Sequence, residues 1–155
     1  MKKILATGAA VVGVLGLAAV PAEAGSAAAP GVQIRRVQYD SPGPDRGTNR
    51  SLNAEWVEIH NYSRHTRQLR GYTLRDRTGY TYTFRWFRLR PHRSVFVHTG
   101  RGHDDRRHVY WDRRWYVWNN DSDTATLRNR RGGLVDRCSW HDRHHPQHQG
   151  GWIWC

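Results

Sequence analysis

The stretch EWVEIHN, residues 55–61, alternates polar and apolar side chains in a way that decides the fold class. Val57 and Ile59 fall on one side of an extended chain, while a tryptophan, a glutamate and a histidine fall on the other. Successive side chains of a β-strand point to opposite faces of a sheet, so the pattern predicts a strand with one buried face. Asn61, Tyr62 and Ser63 follow as a turn, since such residue types are common there.

Further runs downstream have the same alternation. They are YTYTFRWF at 80–87, SVFVHT at 94–99, TATL at 124–127 and LVDRCSW at 134–140. In the first run, Tyr80, Tyr82, Phe84 and Trp86 are expected on one face. Glycine or proline interrupts every window long enough for an amphipathic helix. The sequence therefore predicts an all-β domain of about seven to nine short strands, arranged as a sandwich or a barrel.

The N-terminus has the pattern of a secretory signal peptide. Two lysines precede an uncharged, largely apolar run at 4–20, and the small-residue site Ala22-Glu23-Ala24 follows. The run is shorter than the ~20 residues of a membrane span. We therefore expect a signal peptide at 1–24, a flexible leader at 25–31 and one β-sandwich domain at 32–155. The expected product is secreted, with no membrane span after cleavage.

The chain is strongly basic. It contains 25 lysine and arginine residues against 13 acidic residues, a formal net charge of +12. Removal of 1–24 leaves 25 − 2 = 23 basic residues, all arginine, and 13 − 1 = 12 acidic residues, or about +11. The absence of lysine from the mature chain favours a coding bias over selection for guanidinium groups, because the arginines are scattered through every segment. A surface of this charge attracts nucleic acid, acidic wall polymers or anionic lipid without a specific site.

The two cysteines are expected to form a disulfide. Cys138 and Cys155 both lie in the mature chain, and exported proteins meet an oxidising environment in which paired thiols persist. Such a bond would tie the C-terminal segment to the domain and contribute ~3 kcal/mol for a loop of this size. Two free thiols and a cysteine metal site are the alternatives.

Six ordered segments resemble the lamin-tail domain family, in the form found in small exported bacterial proteins. They are IRRVQYDSPGPD, LNAEWVEIHN, QLRGYTLRD, YTYTF, LRPHRSVFVHTG and WNNDSDTATLRNRRGGLVDRCSW, within residues 32–140. Glu55 to Asn61 looks like the family strand E-x-V-x-I-x-N, and Asp123 to Leu127 resembles its G-D-x-x-x-L entry, with Ser122 in place of the glycine. The resemblance implies an immunoglobulin-like β-sandwich and a function in interaction rather than in chemistry.

The acidic pair Asp121 and Asp123 is interpreted first as turn chemistry. Carboxylate oxygens accept bonds from nearby backbone N–H groups, and residues 119–123 form a turn that leads into a strand. A calcium loop would need more oxygen ligands, usually closed by a glutamate that is missing here. A catalytic pair would need a substrate pocket and separated pKa values, which sequence does not reveal.

A cluster of histidines near the C-terminus offers weak candidates for a metal site. The candidates are His141, His144 and His148, because imidazole is a common ligand of zinc, copper and nickel. A solvated basic loop is the favoured interpretation, and no cofactor is expected. The sequence contains no G-x-S-x-G elbow, no H-E-x-x-H and no glycine-rich phosphate loop. With both cysteines oxidised, we expect that the protein is not an enzyme.

Arginines interleaved with aromatic residues suggest a polyanion-binding surface. The candidates are Arg106, Arg107, Trp111, Arg113, Arg114 and Trp115. Arginine pairs with phosphate and stacks on tryptophan, although the rings can also be structural. The favoured function is a non-catalytic extracellular binding or structural module that contacts a protein or a cell-envelope polymer. The alternatives are a salt-dependent binder of polyanions or nucleic acid at the cell surface, and a metal-dependent hydrolase.

Overall fold

The computed structural model describes residues 31–141 and 150–155. Eleven strands and one short helix occur in this part of the chain. The strands are β1 (Val32–Gln38), β2 (Trp56–Asn61), β3 (Arg67–Gln68), β4 (Thr73–Arg75), β5 (Thr81–Thr83), β6 (Arg88–Leu89), β7 (Ser94–His98), β8 (His108–Tyr110), β9 (Ser122–Arg128), β10 (Leu134–His141) and β11 (Trp152–Trp154), and the helix is α1 (Asn49–Ala54). The predicted signal peptide lies outside the described residues.

The strands form two sheets and a small ribbon. One sheet has the order β11-β1-β2-β7-β8, the other has the order β10-β9-β4-β5, and β3 pairs with β6. The sheets pack face to face as an immunoglobulin-like β-sandwich, which confirms the predicted fold class. More strands appear than the seven to nine expected, because two- and three-residue strands such as β3, β6 and β11 are too short to show alternation.

The core contains the residues that alternation places on the inner faces. Val57 and Ile59 of β2 are fully buried and pair with Val97 and Val95 of β7. The facing sheet contributes side chains such as Leu127, which is also fully buried. Burial of each such side chain contributes about 1.5–3 kcal/mol relative to its exposure.

The run at 80–87 forms a shorter strand than its alternation suggests. Tyr82 and Phe84 are buried as expected, whereas Tyr80 and Trp86 are exposed. The reason is that β5 has only three residues, so Tyr80 precedes the strand and Trp86 follows it. The prediction of one face for all four rings was wrong at the two ends of the run.

Glu55 and Asn61, at the two ends of the stretch 55–61, form hydrogen bonds with the neighbouring loops. Glu55 is buried, and its Oε1 accepts hydrogen bonds from the Thr99 hydroxyl (2.6 Å) and from the backbone N–H groups of Val117 (2.9 Å) and Trp118 (3.2 Å). Asn61 is fully buried, and its amide nitrogen donates to backbone carbonyls at 2.8–3.1 Å. These two side chains therefore fix the connections on either side of the central strand.

The disulfide between Cys138 and Cys155 is present, as predicted. Cys138 lies in β10 at the edge of the four-stranded sheet, and Cys155 directly follows β11 at the edge of the five-stranded sheet. The bond therefore joins the two sheets at one open side of the sandwich.

Candidate functional site

The outer face of β2 and β7 borders a wide groove on the surface of the sandwich. The groove has a volume of about 860 Å³. The other walls are the segment around β6 and the loop before β8 that contains Asp105, Arg106 and Arg107. Its floor includes Ser94 and Phe96 of β7.

Arginine dominates the lining of the groove. The six arginines are Arg35, Arg88, Arg90, Arg93, Arg106 and Arg107, out of sixteen lining residues. The whole chain has 25 basic residues of which two are lysine, so 25 − 2 = 23 of its 155 residues are arginine. The share in the groove is more than twice that of the chain because arginine is concentrated on the surface, so the groove is about as basic as the exposed surface around it.

The two carboxylates in the groove are already bonded. Glu58 lies 3.4 Å from Arg35 and 3.6 Å from Arg36, and it accepts a 2.6 Å hydrogen bond from the Ser94 hydroxyl. Asp105 accepts the backbone N–H groups of Arg107 (2.6 Å) and the next residue (2.7 Å), and these bonds lower the pKa of its carboxyl.

Most of the guanidinium groups in the groove have no carboxylate of a described residue within ion-pair distance. Within the groove, the arginines without an ion pair to a described residue are Arg88, Arg90, Arg93, Arg106 and Arg107. Neighbouring like charges repel one another, and a bound anion would relieve this repulsion.

Aromatic rings lie among these arginines. Trp86 is 69% exposed at the rim of the groove, and Phe96 and Phe87 are half-buried in its lining. An exposed tryptophan beside several guanidinium groups offers both charge and a flat stacking surface. Trp86 belongs to the run Arg85-Trp86-Phe87-Arg88, one of the stretches of sequence in which arginines are interleaved with aromatic residues.

The structure separates the predicted polyanion surface into two places. Arg106 and Arg107 line the groove, whereas Arg113 and Arg114 line a second recess of about 510 Å³, together with Arg101. This recess lies next to α1 and includes Gly47, Asn49 and Leu52.

The two predicted tryptophans differ in their surroundings. Trp111 is half-buried and contacts the buried rings of Tyr82 and Trp118 at 5.9 Å between centroids, so it serves the core. Trp115 is exposed and covers Gly47, where a Cβ atom would lie only 2.5 Å from its ring. No substitution with a side chain fits at Gly47 unless Trp115 moves.

The outer face of the five-stranded sheet carries a ladder of stacked groups that sequence analysis did not identify. The Arg36 guanidinium lies 4.6 Å from the ring of Trp56 and 5.0 Å from that of Trp154. Trp56 contacts Phe96 edge-on at 5.2 Å, so the ladder extends into the groove. The sequence does indicate these contacts, because the alternating stretches also define which side chains lie on the outer face of each strand. The search for buried faces did not consider those side chains.

Two histidines continue this face across the parallel pair β7–β8. The Nδ1–H group of His98 donates to the carbonyl of Asn53 (2.7 Å), so its Nε2 accepts from Nδ1–H of His108 (2.9 Å). Burial lowers the pKa of His98, because the charged ring would lose hydration.

A comparison with known families matches the lamin tail domain over residues 25–142. The chain belongs to the lamin tail domain family. No curated protein matches the sequence. The family is a non-catalytic, immunoglobulin-like type of module, which agrees with the sandwich and with the resemblance of the six segments.

The acidic turn of this lamin tail domain has the structural role that was predicted. Asp123 is buried, and its Oδ1 accepts the backbone N–H groups of Arg77 (2.9 Å) and Thr124 (2.7 Å). Its Oδ2 accepts the backbone and side-chain N–H groups of Asn119 at 3.0 and 3.2 Å. Asp121 is exposed. The turn interpretation is therefore confirmed for Asp123.

The weak metal candidates are placed only in part. His141 is exposed at the end of β10, while His144 and His148 lie outside the described residues. Within 31–141 and 150–155, we find no group of three histidine, cysteine or acidic side chains that could hold a metal ion. In the same residues, no helix has the length and apolar character needed to cross a membrane.

Proposed function

We propose that this lamin tail domain is a non-catalytic binding module outside the cytoplasm, and that its groove holds an anionic polymer. The observation that carries the proposal is the set of five groove arginines without an ion pair in the described residues. A guanidinium group presents a fork of N–H donors that matches phosphate or carboxylate oxygens. Several such groups in one groove favour a ligand with repeated charges over a single small anion.

Two features support a location outside the cytoplasm. The disulfide between Cys138 and Cys155 is of a kind that persists in oxidising compartments. The N-terminal pattern at 1–24 is that of a signal peptide. In that setting, acidic polymers of the cell envelope are the candidate ligands.

The proposal is tested by removal of groove charge. The triple variant Arg88→Gln, Arg106→Gln and Arg107→Gln should bind long-chain inorganic polyphosphate at least tenfold more weakly, because three phosphate contacts are lost. The slope of log affinity against log salt concentration should also become shallower by ~1 for each lost contact. Fluorescence anisotropy of labelled polyphosphate at several salt concentrations measures both quantities.

A matched control uses Arg46→Gln, Arg50→Gln and Arg131→Gln. These three side chains are exposed and do not line the groove, so the change in net charge is the same. The control should retain most of the affinity. Equal losses in the two triple variants would show attraction by overall charge and would contradict a groove site.

A second candidate ligand is single-stranded nucleic acid, and the exposed ring of Trp86 favours it. Stacking of a base on an aromatic side chain contributes about 1–3 kcal/mol, with little preference for sequence. Trp86→Ala should therefore weaken binding of a thymidine oligonucleotide by roughly tenfold or more and leave polyphosphate binding unchanged. Trp152→Ala, an exposed tryptophan outside the groove, is the control. An unchanged oligonucleotide affinity in Trp86→Ala would exclude stacking at this ring.

A further inference from the structure

The second recess of the sandwich has the chemistry of an anion site. Three of its six lining residues are arginines, namely Arg101, Arg113 and Arg114, and the other three bring no charge. None of the three arginines has an ion pair with a described residue. Its volume of about 510 Å³ is well below that of the groove, so it suits a compact group.

The chain that carries these arginines is held in place by other residues. The side-chain amide of Asn49 accepts from the backbone N–H of Arg101 (2.7 Å) and donates to its carbonyl (2.9 Å), and Asn53 donates to the same carbonyl (2.8 Å). The backbone N–H of Arg113 donates to the backbone carbonyl of Thr99 (3.0 Å). Two separate loops are thus fixed around the recess before any ligand arrives, which lowers the entropic cost of binding.

The Arg113 side chain is oriented as well. Its guanidinium carbon lies 4.1 Å from the centroid of the Tyr80 ring, which is a close cation–π contact. Its Nε is buried and has no hydrogen-bond partner in the described residues. Because this nitrogen has almost no accessible surface, a ligand in the recess meets the terminal N–H₂ groups of Arg113 instead.

We propose that the recess formed by Arg101, Arg113 and Arg114 binds a phosphate group as a second site, separate from the groove. A tetrahedral phosphate offers several acceptor oxygens to guanidinium donors that converge from two loops. The group can be a small free phosphate or one unit of the polymer that occupies the groove.

The two sites lie towards opposite ends of β7. Arg93 of the groove precedes the strand and Arg101 of the recess follows it. A five-residue strand spans roughly 17 Å at about 3.3 Å per residue. A polymer that spans this distance engages both sites, and its second contact forms at a high effective concentration.

The first experiment tests the recess alone, independently of the proposed function. Isothermal titration with pyrophosphate is carried out on the triple variant Arg88→Gln, Arg106→Gln and Arg107→Gln, in which the groove is weakened. Addition of Arg101→Gln and Arg114→Gln should reduce the affinity at least tenfold, while addition of Arg130→Gln and Arg131→Gln should not. Arg113 is retained because its contact with Tyr80 supports the fold. Equal pyrophosphate affinities in these two variants, each with five substitutions, would overturn the proposal.

The second experiment tests the connection between the sites and rests on the proposed function. The wild-type protein should bind long-chain polyphosphate roughly 100-fold more tightly than tripolyphosphate. Arg101→Gln with Arg114→Gln should remove most of this difference, whereas Arg130→Gln with Arg131→Gln should preserve it. Loss of the difference in both double variants would overturn the linkage. The groove proposal is tested separately, by polymer binding to the variant Arg88→Gln, Arg106→Gln and Arg107→Gln. A failure of the groove proposal is therefore distinguishable from a failure of the recess proposal.

Discussion

Glu55 shows how one buried side chain makes stability depend on pH. Burial raises the pKa of its carboxyl from 4.5 to about 8, and the bonds from Thr99, Val117 and Trp118 offset only part of this shift. Its Oε2 is buried without a partner in the described residues, whereas Oε1 accepts all three bonds, so we expect the proton on Oε2. Between pH 4.5 and 8 the folded state binds more protons at this group than the unfolded state does.

Stability should therefore fall as the pH rises through this window. The slope from Glu55 is at most about 1.4 kcal/mol per pH unit. Glu55→Gln removes this contribution but leaves a buried amide N–H₂ group without partners, which costs ~1–3 kcal/mol. The variant should be less stable than wild type near pH 5 and should approach or exceed it near pH 9. Urea denaturation at several pH values measures the difference.

Thr99→Val is the control for this prediction. It removes one hydrogen-bond donor to Glu55 and keeps the carboxyl, so the downward trend with pH should persist. A parallel pH dependence in wild type and Glu55→Gln would contradict an elevated pKa at this residue.

Asn61 provides a second prediction at the level of a residue. Its amide nitrogen is bonded to the carbonyls of His65, Leu89 and Arg90, and its oxygen accepts from Ser63. Asn61→Ala would remove these three bonds together with the acceptor for the N–H and hydroxyl groups of Ser63, and should destabilise the fold by about 3 kcal/mol.

The matched control is Asn53→Ala. The amide nitrogen of Asn53 donates one bond to a surface carbonyl, so its loss should cost ~1 kcal/mol or less. Thermal or chemical denaturation of both variants provides the comparison. Equal effects would mean that the loops around Asn61 do not depend on its side chain.

At the level of elements, the C-terminal strand depends on a covalent bond. β11 has three residues and pairs only with β1 in the described part of the chain. The exposed rings of Trp152 and Trp154 contribute little burial. The disulfide and the stacking of Arg36 on Trp154 compensate for this short pairing.

Reduction of the disulfide should lower the free energy of unfolding by ~3 kcal/mol. The amides of β11 should then exchange with solvent faster than those of β2, because β2 retains partners on both sides. Denaturation with and without reductant, followed by hydrogen exchange, measures both effects. The variant Cys138→Ser with Cys155→Ser should be as unstable as the reduced protein and insensitive to reductant. An unchanged midpoint on reduction would show that the strand pairs without the bond.

The molecule as a whole carries many more positive than negative charges, with a formal net charge of +12 for the full chain. Self-repulsion of this size destabilises a compact state, and salt screens it. Salt should therefore act in opposite directions on folding and on polymer binding.

A rise in NaCl from about 0.02 M to about 0.3 M should raise the melting temperature by a few degrees while it weakens polyphosphate binding. Differential scanning calorimetry measures the first effect. Sulfate at equal ionic strength is the comparison. Because sulfate also stabilises folded proteins by exclusion from their surface, occupancy of the groove arginines is indicated only by a sulfate-specific rise that is larger in wild type than in the variant Arg88→Gln, Arg106→Gln and Arg107→Gln. A melting temperature that falls with NaCl would contradict repulsion as the dominant electrostatic effect.

Alternation in the sequence was sufficient for the all-β class and for core residues such as Val57, Ile59 and Leu127, while the family resemblance decided between a sandwich and a barrel. The cysteine pair, the turn role of Asp123 and the family were also accessible from the residues themselves. Each of these depends on local chemistry or on a period of two along one strand.

The groupings of arginine were decided only by the tertiary structure. Arg88 and Arg106 meet across a groove because β6 and the loop before β8 fold against β2 and β7, whereas Arg106 and Arg113, close in sequence, line different cavities. The reason is physical: the side of a strand on which a residue lies follows from its position in the chain, but its neighbours across space follow from strand order and register. Those depend on how all the buried side chains pack together at once.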